Sequence, residues 1–161
     1  MNATREIYIR WLIRSDLSRV LEIERDCFDN PWDADDFNAC LRQRNCIGQV
    51  AEIRSVPGGL PDRVLGFMIY ELEKETIRVR NFAVDSQARR TGVGTALVGR
   101  LFRKLGRFGE VRRSRIAVIL RESNLDAQSF YRHFGFKAVK VLRAFYQDTG
   151  EDGYELVYRS N

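Results

Sequence analysis

The sequence contains few of the residues that build metal centres, disulfide frameworks and membrane spans. Its single histidine is His133, and its three cysteines, Cys27, Cys40 and Cys46, show no Cys-x-x-Cys spacing. We therefore expect no metal site and three free thiols. No apolar run approaches the roughly 18 residues that a spanning helix requires, and the amino-terminal segment lacks the hydrophobic region of a signal peptide. These absences predict a cytoplasmic protein with no membrane partner.

The composition is that of one folded domain. A chain of 161 residues that is 44% hydrophobic buries about 70% of the surface of its unfolded state, so we expect a single domain over residues 1–161. The net charge of +5 is unevenly distributed, with basic residues concentrated at positions 89–115 and acidic residues at positions 26–36. A basic helix face is most often only solvated, and nucleic-acid modules usually add stacking aromatics or a recognisable motif. Direct nucleic-acid binding is therefore a minor alternative.

One stretch, Asn81 to Leu105, combines the end of a strand, a turn and a helix. Residues 77–84 are predicted to form the strand, and an i, i+3, i+4 pattern of apolar residues predicts the helix. The turn at positions 89–95 reads Arg-Arg-Thr-Gly-Val-Gly-Thr. Its glycines permit a close approach of backbone to ligand, and the helix amino terminus directs unpaired N–H groups and the positive dipole end at the same point. The turn therefore predicts an anion-binding cradle, with Arg89 and Arg90 beside it.

The residues that this turn lacks limit the identity of the anion. A phosphate loop of nucleotide triphosphatases requires Gly-Lys-Ser/Thr, whereas Thr95 and Ala96 follow the second glycine. A dinucleotide fingerprint requires a third glycine, where Leu97 stands, and a carboxylate about 20 residues further on, a position that Glu110 and Glu122 both miss. The alternative to an anion-binding cradle is an ordinary glycine-containing turn between a strand and a helix.

The order of predicted elements indicates a three-layer α/β fold. A strand at positions 7–11 precedes two helices, the second capped by Asp33 or Asp35. Beyond the central stretch, an all-apolar strand is predicted to lie inside the sheet, and Gly135 is expected to close a short helix. The all-apolar strand is predicted at 114–121 and the short helix at 126–134. The other predicted strands lie at 47–56, 64–72, 136–142 and 154–158. This order predicts one central mixed sheet with helices on both faces.

Two segments resemble the signature motifs of one known family. The Arg-x-x-Gly-x-Gly turn of Arg89–Gly94 resembles motif A of the GNAT (GCN5-related) N-acetyltransferases. Residues 121–136, which read Arg-Glu-Ser-Asn-Leu-Asp-Ala-Gln-Ser-Phe-Tyr-Arg-His-Phe-Gly-Phe, resemble motif B. With both motifs present in the expected order, the chain is identified as a member of this family. The resemblance implies a GNAT-like fold and acetyl-CoA as cosubstrate.

The resemblance also implies roles for individual residues. The turn that would hold the pyrophosphate of acetyl-CoA consists of Arg89, Arg90, Thr91, Gly92, Val93, Gly94 and Thr95. A backbone N–H of Phe82, Ala83 or Val84 would polarise the thioester carbonyl, and Asn124 would hydrogen-bond CoA. Tyr131 matches the tyrosine that protonates the departing thiolate. The alternatives are that Asn124 is a plain helix cap and that Tyr131 is a packed helix residue with a satisfied hydroxyl.

Three shorter segments resemble the RimI group of this family, which acetylates the amino-terminal alanine of a ribosomal protein. They lie at positions 28–32, 121–124 and 142–146. In that group a glutamate two residues before the arginine of Arg-x-Ser-Asn acts as general base, whereas Ile119 occupies that position here. Tyr146 is expected to help orient whichever group replaces it. The alternatives for the base are Glu71, Glu73, Glu75 or ordered water.

A weakened base favours an acceptor amine of low pKa. At pH 7 an α-amino group is roughly one-tenth neutral, whereas a lysine side chain is neutral in only about one molecule in 2,500. We therefore expect a protein amino terminus as the acceptor of the N-acetyltransferase that the resemblance implies, and the resemblance to the RimI group implies the basic amino terminus of a ribosomal protein as partner. The acidic segments at 26–36 and 148–152 would attract such a peptide or would simply be solvated loops. A small-molecule amine, a lysine acceptor and a non-catalytic acetyl-CoA-binding module are the alternatives.

Overall fold

The computed structural model describes residues 6–54, 63–108 and 111–160. The strands within these residues are β1 (Glu6–Trp11), β2 (Cys46–Arg54), β3 (Arg63–Leu72), β4 (Thr76–Val84), β5 (Gly106–Phe108), β6 (Val111–Arg113), β7 (Arg115–Arg121), β8 (Lys137–Leu142) and β9 (Gly153–Arg159). The α-helices are α1 (Leu17–Cys27), α2 (Ala34–Leu41), α3 (Val93–Lys104) and α4 (Leu125–His133). Positions 55 and 56, which were expected to extend the second strand, lie outside the described residues.

The strands pair as a mixed sheet, which confirms the predicted α/β class. The seven-stranded sheet has the order β1-β2-β3-β4-β7-β9-β8. The β4 and β7 strands run parallel, whereas β1, β2 and β3 are joined by antiparallel pairs, as are β7, β9 and β8. Strand β7 has partners on both edges, as its two apolar faces predict. No helix among the described residues has the length and apolar character needed to cross a membrane.

A short hairpin formed by β5 and β6 was not predicted from the sequence. Its register pairs Gly106 with Arg113 and Phe108 with Val111. Each strand has only three residues, which is too short for a period-two pattern of apolar side chains to be recognised.

The chain divides into two compact units, and the first has a core formed by α1, α2 and the sheet. It comprises the described residues up to Glu71 together with Asn81–Arg103. Val20, Phe37 and Phe67 are completely buried, and the ring of Phe37 makes edge contacts with Phe67 at 5.6 Å and with Trp32 at 5.2 Å. Trp32 and Phe28 pack against this core, so the aromatic residues of the turn before α2 act as a hydrophobic staple.

The amino terminus of α2 is capped by Asp33, one of the two caps that the sequence allowed. Asp33 Oδ1 accepts a hydrogen bond from the Asp36 N–H at 2.8 Å, and Asp36 Oδ2 accepts one from the Asp33 N–H at 2.9 Å. This reciprocal pair is a capping box, which satisfies two N–H groups that the helix leaves without partners. The cap fixes where the turn of Trp32 ends and α2 begins.

The second unit comprises Leu72–Arg80 and the described residues from Lys104 onward. Its core is formed by Ile77, Ile116 and Leu156, which are completely buried. Helix α4 is followed by Gly135 at φ +92°, a left-handed conformation that favours glycine, as the predicted helix end requires. Beyond this glycine, Phe136 packs edge-on against Tyr131, with ring centroids 5.0 Å apart.

Candidate active site

The glycine turn has the geometry of an anion cradle. Gly92 has φ +91° and Arg90 has φ +63°, so the chain turns sharply before α3 begins at Val93. The Ala96 N–H donates to the Gly92 carbonyl at 2.9 Å, which is the pattern of a first helical turn. The N–H groups of residues 93–95 precede that bond and point out of the helix amino terminus. Arg89, Arg90 and Thr95 are exposed residues at this turn.

Asp85 anchors the chain between β4 and this turn. The buried Asp85 carboxylate accepts the Gln87 N–H at 2.9 Å and pairs with the Arg19 guanidinium. Its backbone N–H donates to the Leu65 carbonyl at 2.8 Å, and its carbonyl accepts the Ala88 N–H. Burial opposes ionisation, but the Gln87 bond and the Arg19 charge outweigh it and hold the pKa of Asp85 below its ordinary value. Sequence reasoning missed this anchor.

Gly66 brings β3 into close contact with the start of α3. A Cβ at Gly66 would lie 2.9 Å from Val93 Cγ1, 3.1 Å from the Ala83 carbonyl oxygen and 3.3 Å from Leu97 Cδ1. Glycine therefore allows β3, the end of β4 and the first turns of α3 to approach more closely than any side chain would permit. A lone glycine in an apolar strand was the signal that could have identified this position.

The end of β4 contains the three residues expected to receive the thioester. Ala83 is buried, whereas Phe82 and Val84 are partly exposed. The Phe82 N–H donates to the Asn81 side-chain Oδ1 at 2.8 Å, and the Val84 carbonyl accepts the Cys27 thiol at 3.2 Å. Burial raises the pKa of the Cys27 thiol, and Arg89 only partly offsets that effect. Cys27 is therefore a protonated donor near neutral pH, which does not suit a covalent acetyl carrier.

The two predicted site residues of the second unit lie at the start and near the end of α4. Asn124 is the amino-terminal cap, and its Oδ1 accepts the Ala127 N–H at 3.2 Å. Tyr131 is only 2% exposed, and its ring packs edge-on against Phe130 at 5.3 Å. Burial raises the pKa of Tyr131, so its hydroxyl keeps its proton near neutral pH. A protonated phenol is the form that a general acid requires.

Arg121 organises the loop that follows β8. Its guanidinium pairs with Asp148 at 2.7 Å and with Glu151 at 2.9 Å, and its Cζ atom lies 4.0 Å from the centroid of the Tyr146 ring. Hydrogen bonds from Ser123 and Arg121 lower the pKa of Glu151 to about 2. Asp148 and Glu151 are thus engaged in ion pairs with a lowered pKa, which makes them poor proton acceptors at neutral pH.

The position of the expected general base lies in an apolar contact. A Cβ placed on Gly153 would lie 3.0 Å from Ile119 Cγ2 and 3.2 Å from Phe145 Cδ1, so Ile119 packs beside these two residues. Among the alternative bases, Glu73 is hydrogen-bonded to Arg78 at 2.7 Å, and Glu75 pairs with Arg115 at 3.6 Å. The Tyr146 hydroxyl lies 3.4 Å from the Ile119 carbonyl oxygen.

Comparison with known proteins identifies a shared family. The model of the acetyltransferase (GNAT) family matches residues 17–136. An N-alpha-acetyltransferase of Sulfurisphaera tokodaii is 30% identical over 93% of this chain and 91% of its own length. A putative [ribosomal protein bS18]-alanine N-acetyltransferase of Bacillus subtilis is 26% identical over 89% of both chains. The structure of Arabidopsis thaliana NAA60 with acetyl-CoA has a TM-score of 0.79 at 20% identity and covers 96% of this chain and 98% of its own.

Proposed function

The chain belongs to the acetyltransferase (GNAT) family, and from this premise we propose that it acetylates the α-amino group at the amino terminus of a protein. The chain is an acetyl-CoA-dependent N-acetyltransferase, and acetyl-CoA is its cosubstrate. The proposed binding of acetyl-CoA rests on the cradle, in which Gly92 at φ +91° precedes the first turn of α3 beside Arg89 and Arg90, and the proposed acceptor rests on Ile119.

Each part of the proposed site has a defined role. The amides of residues 92–95 and the two arginines bind the pyrophosphate of acetyl-CoA, because a helix amino terminus favours negative charge. Residues Phe82–Val84 receive the thioester carbonyl through the backbone N–H of Ala83 or Val84, since the Phe82 N–H donates to Asn81, and Asn124 binds the CoA arm. Tyr131 supplies a proton, which its raised pKa keeps on the hydroxyl.

The proposed reaction is direct transfer within a ternary complex. The nitrogen of the neutral amine attacks the thioester carbon, the carbon–nitrogen bond forms, and the carbon–sulfur bond breaks. The departing thiolate takes the Tyr131 proton, and the amine nitrogen loses a proton to water. Tyr131 then recovers a proton from solvent. The protonated Cys27 thiol has no part in this sequence.

The acceptor is proposed from the residues around Ile119. An isoleucine beside Phe145 and Gly153 cannot deprotonate an ammonium group, so an amine that is already partly neutral is the better substrate. At pH 7 the neutral fraction of an α-amine exceeds that of a lysine by roughly two orders of magnitude. The relatives described as N-alpha-acetyltransferase and as ribosomal-protein-alanine acetyltransferase support the same acceptor class. We therefore infer that the acceptor is the amino terminus of a ribosomal protein.

The test combines calorimetry and mass spectrometry. Acetyl-CoA is titrated into the wild type, the variant Gly92→Asp and the control Gly106→Asp. Gly106 also has a positive φ, at +96°, and has open space around it, so the control carries the same backbone strain outside the cradle. The same samples are then incubated with peptides that begin Ala-Arg and with amino-terminally blocked peptides that contain one lysine.

The proposal predicts that acetyl-CoA binds the wild type and Gly106→Asp but not Gly92→Asp. It also predicts that the peptide with a free amino terminus gains about 42 Da, because an acetyl group replaces one hydrogen atom. Binding followed by acetylation of the lysine peptide alone would reject the proposed acceptor. Binding without acetylation of either peptide would favour a small-molecule amine or a non-catalytic module. Equal binding by the wild type and Gly92→Asp would refute the cradle.

A further inference from the structure

Helix α1 contains a buried carboxylate that the proposed chemistry does not use. Glu24 is only 2% exposed, and each of its oxygens accepts one N–H donor. Oε1 accepts the backbone N–H of Trp32 at 3.1 Å, and Oε2 accepts the side-chain amide of Asn81 at 2.9 Å. Neither donor is a cation. A carboxylate held in this way joins the turn before α2 to strand β4.

The Asn81 side chain continues the connection to the backbone of β4. Its Oδ1 accepts the Phe82 N–H at 2.8 Å, while its NH₂ group faces Glu24. An ionised carboxylate only accepts hydrogen bonds, so Glu24 determines which end of the Asn81 amide faces the Phe82 N–H. The result is a chain of hydrogen bonds in which the Phe82 N–H donates to Asn81 and the Asn81 amide donates to Glu24. We call this chain the Glu24 relay.

We propose that Glu24 is a positioning residue, which acts through Asn81 and Trp32 on the backbone that receives the thioester. The inference rests on the proposed function, because residues Phe82–Val84 are assigned there to the thioester carbonyl. In the relay the Phe82 N–H donates to the side-chain Oδ1 of Asn81. This bond fixes the orientation of the peptide group between Asn81 and Phe82. The bond to Trp32 holds the adjacent turn against the same carboxylate.

Glu24 is not the missing general base. Both of its oxygens already accept N–H donors, so a proton on either oxygen would displace one of these bonds. Burial raises its pKa, while Trp32 and Asn81 oppose that effect and the charge of Asp36 reinforces it. Because both oxygens accept N–H donors, the relay needs the ionised form despite this raised pKa, and its role is to hold geometry.

The relay can be broken and rebuilt with isosteric substitutions. In Glu24→Gln the new NH₂ group must face one of two N–H donors, so either the Trp32 bond or the Asn81–Phe82 bond is lost. In Asn81→Asp two carboxylates face each other. In the double variant Glu24→Gln/Asn81→Asp, the glutamine oxygen accepts the Trp32 N–H and its NH₂ donates to one oxygen of the introduced carboxylate. The other oxygen of that carboxylate then accepts the Phe82 N–H, which restores every bond with the same net charge.

The experiment measures hydrogen exchange and kinetics in the wild type, in these three variants and in the control Glu22→Gln. Glu22 lies on α1 with a side chain that is 58% exposed. Amide exchange at Trp32 and Phe82 is followed by NMR without cosubstrate, and kcat and KM for acetyl-CoA are measured with the acceptor peptide. The NMR readout needs no turnover, so it tests the relay even if the proposed acceptor is wrong.

The proposal predicts that Glu24→Gln speeds exchange at Trp32 or Phe82 by about fivefold, the factor that one net hydrogen bond contributes. A displaced thioester site should lower kcat by about tenfold to a hundredfold with little change in KM for acetyl-CoA, because the cradle is intact. Asn81→Asp should also lower kcat and regain activity as the pH falls and one carboxylate takes up a proton. The double variant and Glu22→Gln should match the wild type.

Two outcomes would overturn the proposal. The first is a double variant whose exchange and kcat are no better than those of the worse single variant. The second is a Glu24→Gln protein with wild-type exchange at both amides. If Glu24→Gln fails to fold, the double variant still decides, since only a relay predicts that a second substitution in β4 restores the fold. If the variants show the predicted changes in exchange but no protein, including the wild type, acetylates the peptide, that result would count against the proposed acceptor alone.

Discussion

Replacing Gly66 with alanine should destabilise the protein, because the new methyl group would clash with a backbone oxygen that cannot rotate away. The new Cβ would lie 2.9 Å from Val93 Cγ1 and 3.1 Å from the Ala83 carbonyl oxygen. The Val93 side chain could rotate, but a backbone oxygen within a strand cannot. Overpacking of this kind costs about 1–3 kcal/mol, and the lower entropy of the unfolded alanine variant returns about 0.4–1 kcal/mol. The midpoints of these ranges leave a net loss of about 1.3 kcal/mol, which corresponds to a Tm lower by about 3–5 °C.

The same substitution at Gly99 is the matched control, with the opposite expected sign. Gly99 lies inside α3, and a methyl carbon added there would meet no atom within 4 Å, so alanine adds only helix propensity. We expect Gly99→Ala to stabilise by about 0.5–1 kcal/mol. Thermal denaturation compares the two variants, and calorimetry with acetyl-CoA should show weaker binding only for Gly66→Ala, because Val93 is the first residue of α3. Equal shifts of Tm in the two variants would refute the close-packing argument.

Three further predictions concern the second unit. Tyr131→Phe should lower kcat by about 10²–10⁴, the usual contribution of a general acid, with an unchanged Tm. Wild-type kcat in this variant would exclude the hydroxyl as proton donor. Ile119→Glu should raise the acetylation rate of a lysine peptide more than that of an amino-terminal peptide, because a base helps most where the amine is mostly protonated; equal rate ratios would contradict this. The pKa of Glu151 is lowered from 4.5 to about 2, so its stabilisation is present above about pH 4.5 and is lost as the pH falls towards 2. Glu151→Gln should therefore flatten the fall of Tm between pH 4.5 and 2, and an unchanged slope would argue against stabilisation of the Glu151 carboxylate by Ser123 and Arg121.

The sequence predicted the parts of the fold that depend on neighbouring residues. The turn before α3 was predicted, because its glycines, arginines and helix start all lie within residues 89–95, and its role as an anion cradle stays a proposal. Helix α4 was bounded correctly to within one residue, because Asn124 caps it and Gly135 closes it at φ +92°. The cap of α2 remained open between Asp33 and Asp35, since both residue types form caps and only the position of Asp36 relative to Asp33 completes the capping box.

Apart from the short β5–β6 hairpin, the parts that the sequence did not reveal depend on contacts between residues far apart in the chain. Gly66 and Val93 meet only because β3 and α3 pack together, and nothing near Gly66 in the sequence marks its partner. Glu24 and Asn81 are 57 positions apart, and each alone reads as an ordinary polar residue on a helix or a strand. The burial of Glu24 is informative, because a buried carboxylate is tolerated only where hydrogen-bond donors satisfy it. The two N–H donors, from Trp32 and Asn81, show that Glu24 is not a solvated helix residue. Through these bonds it is proposed to orient the backbone that receives the thioester.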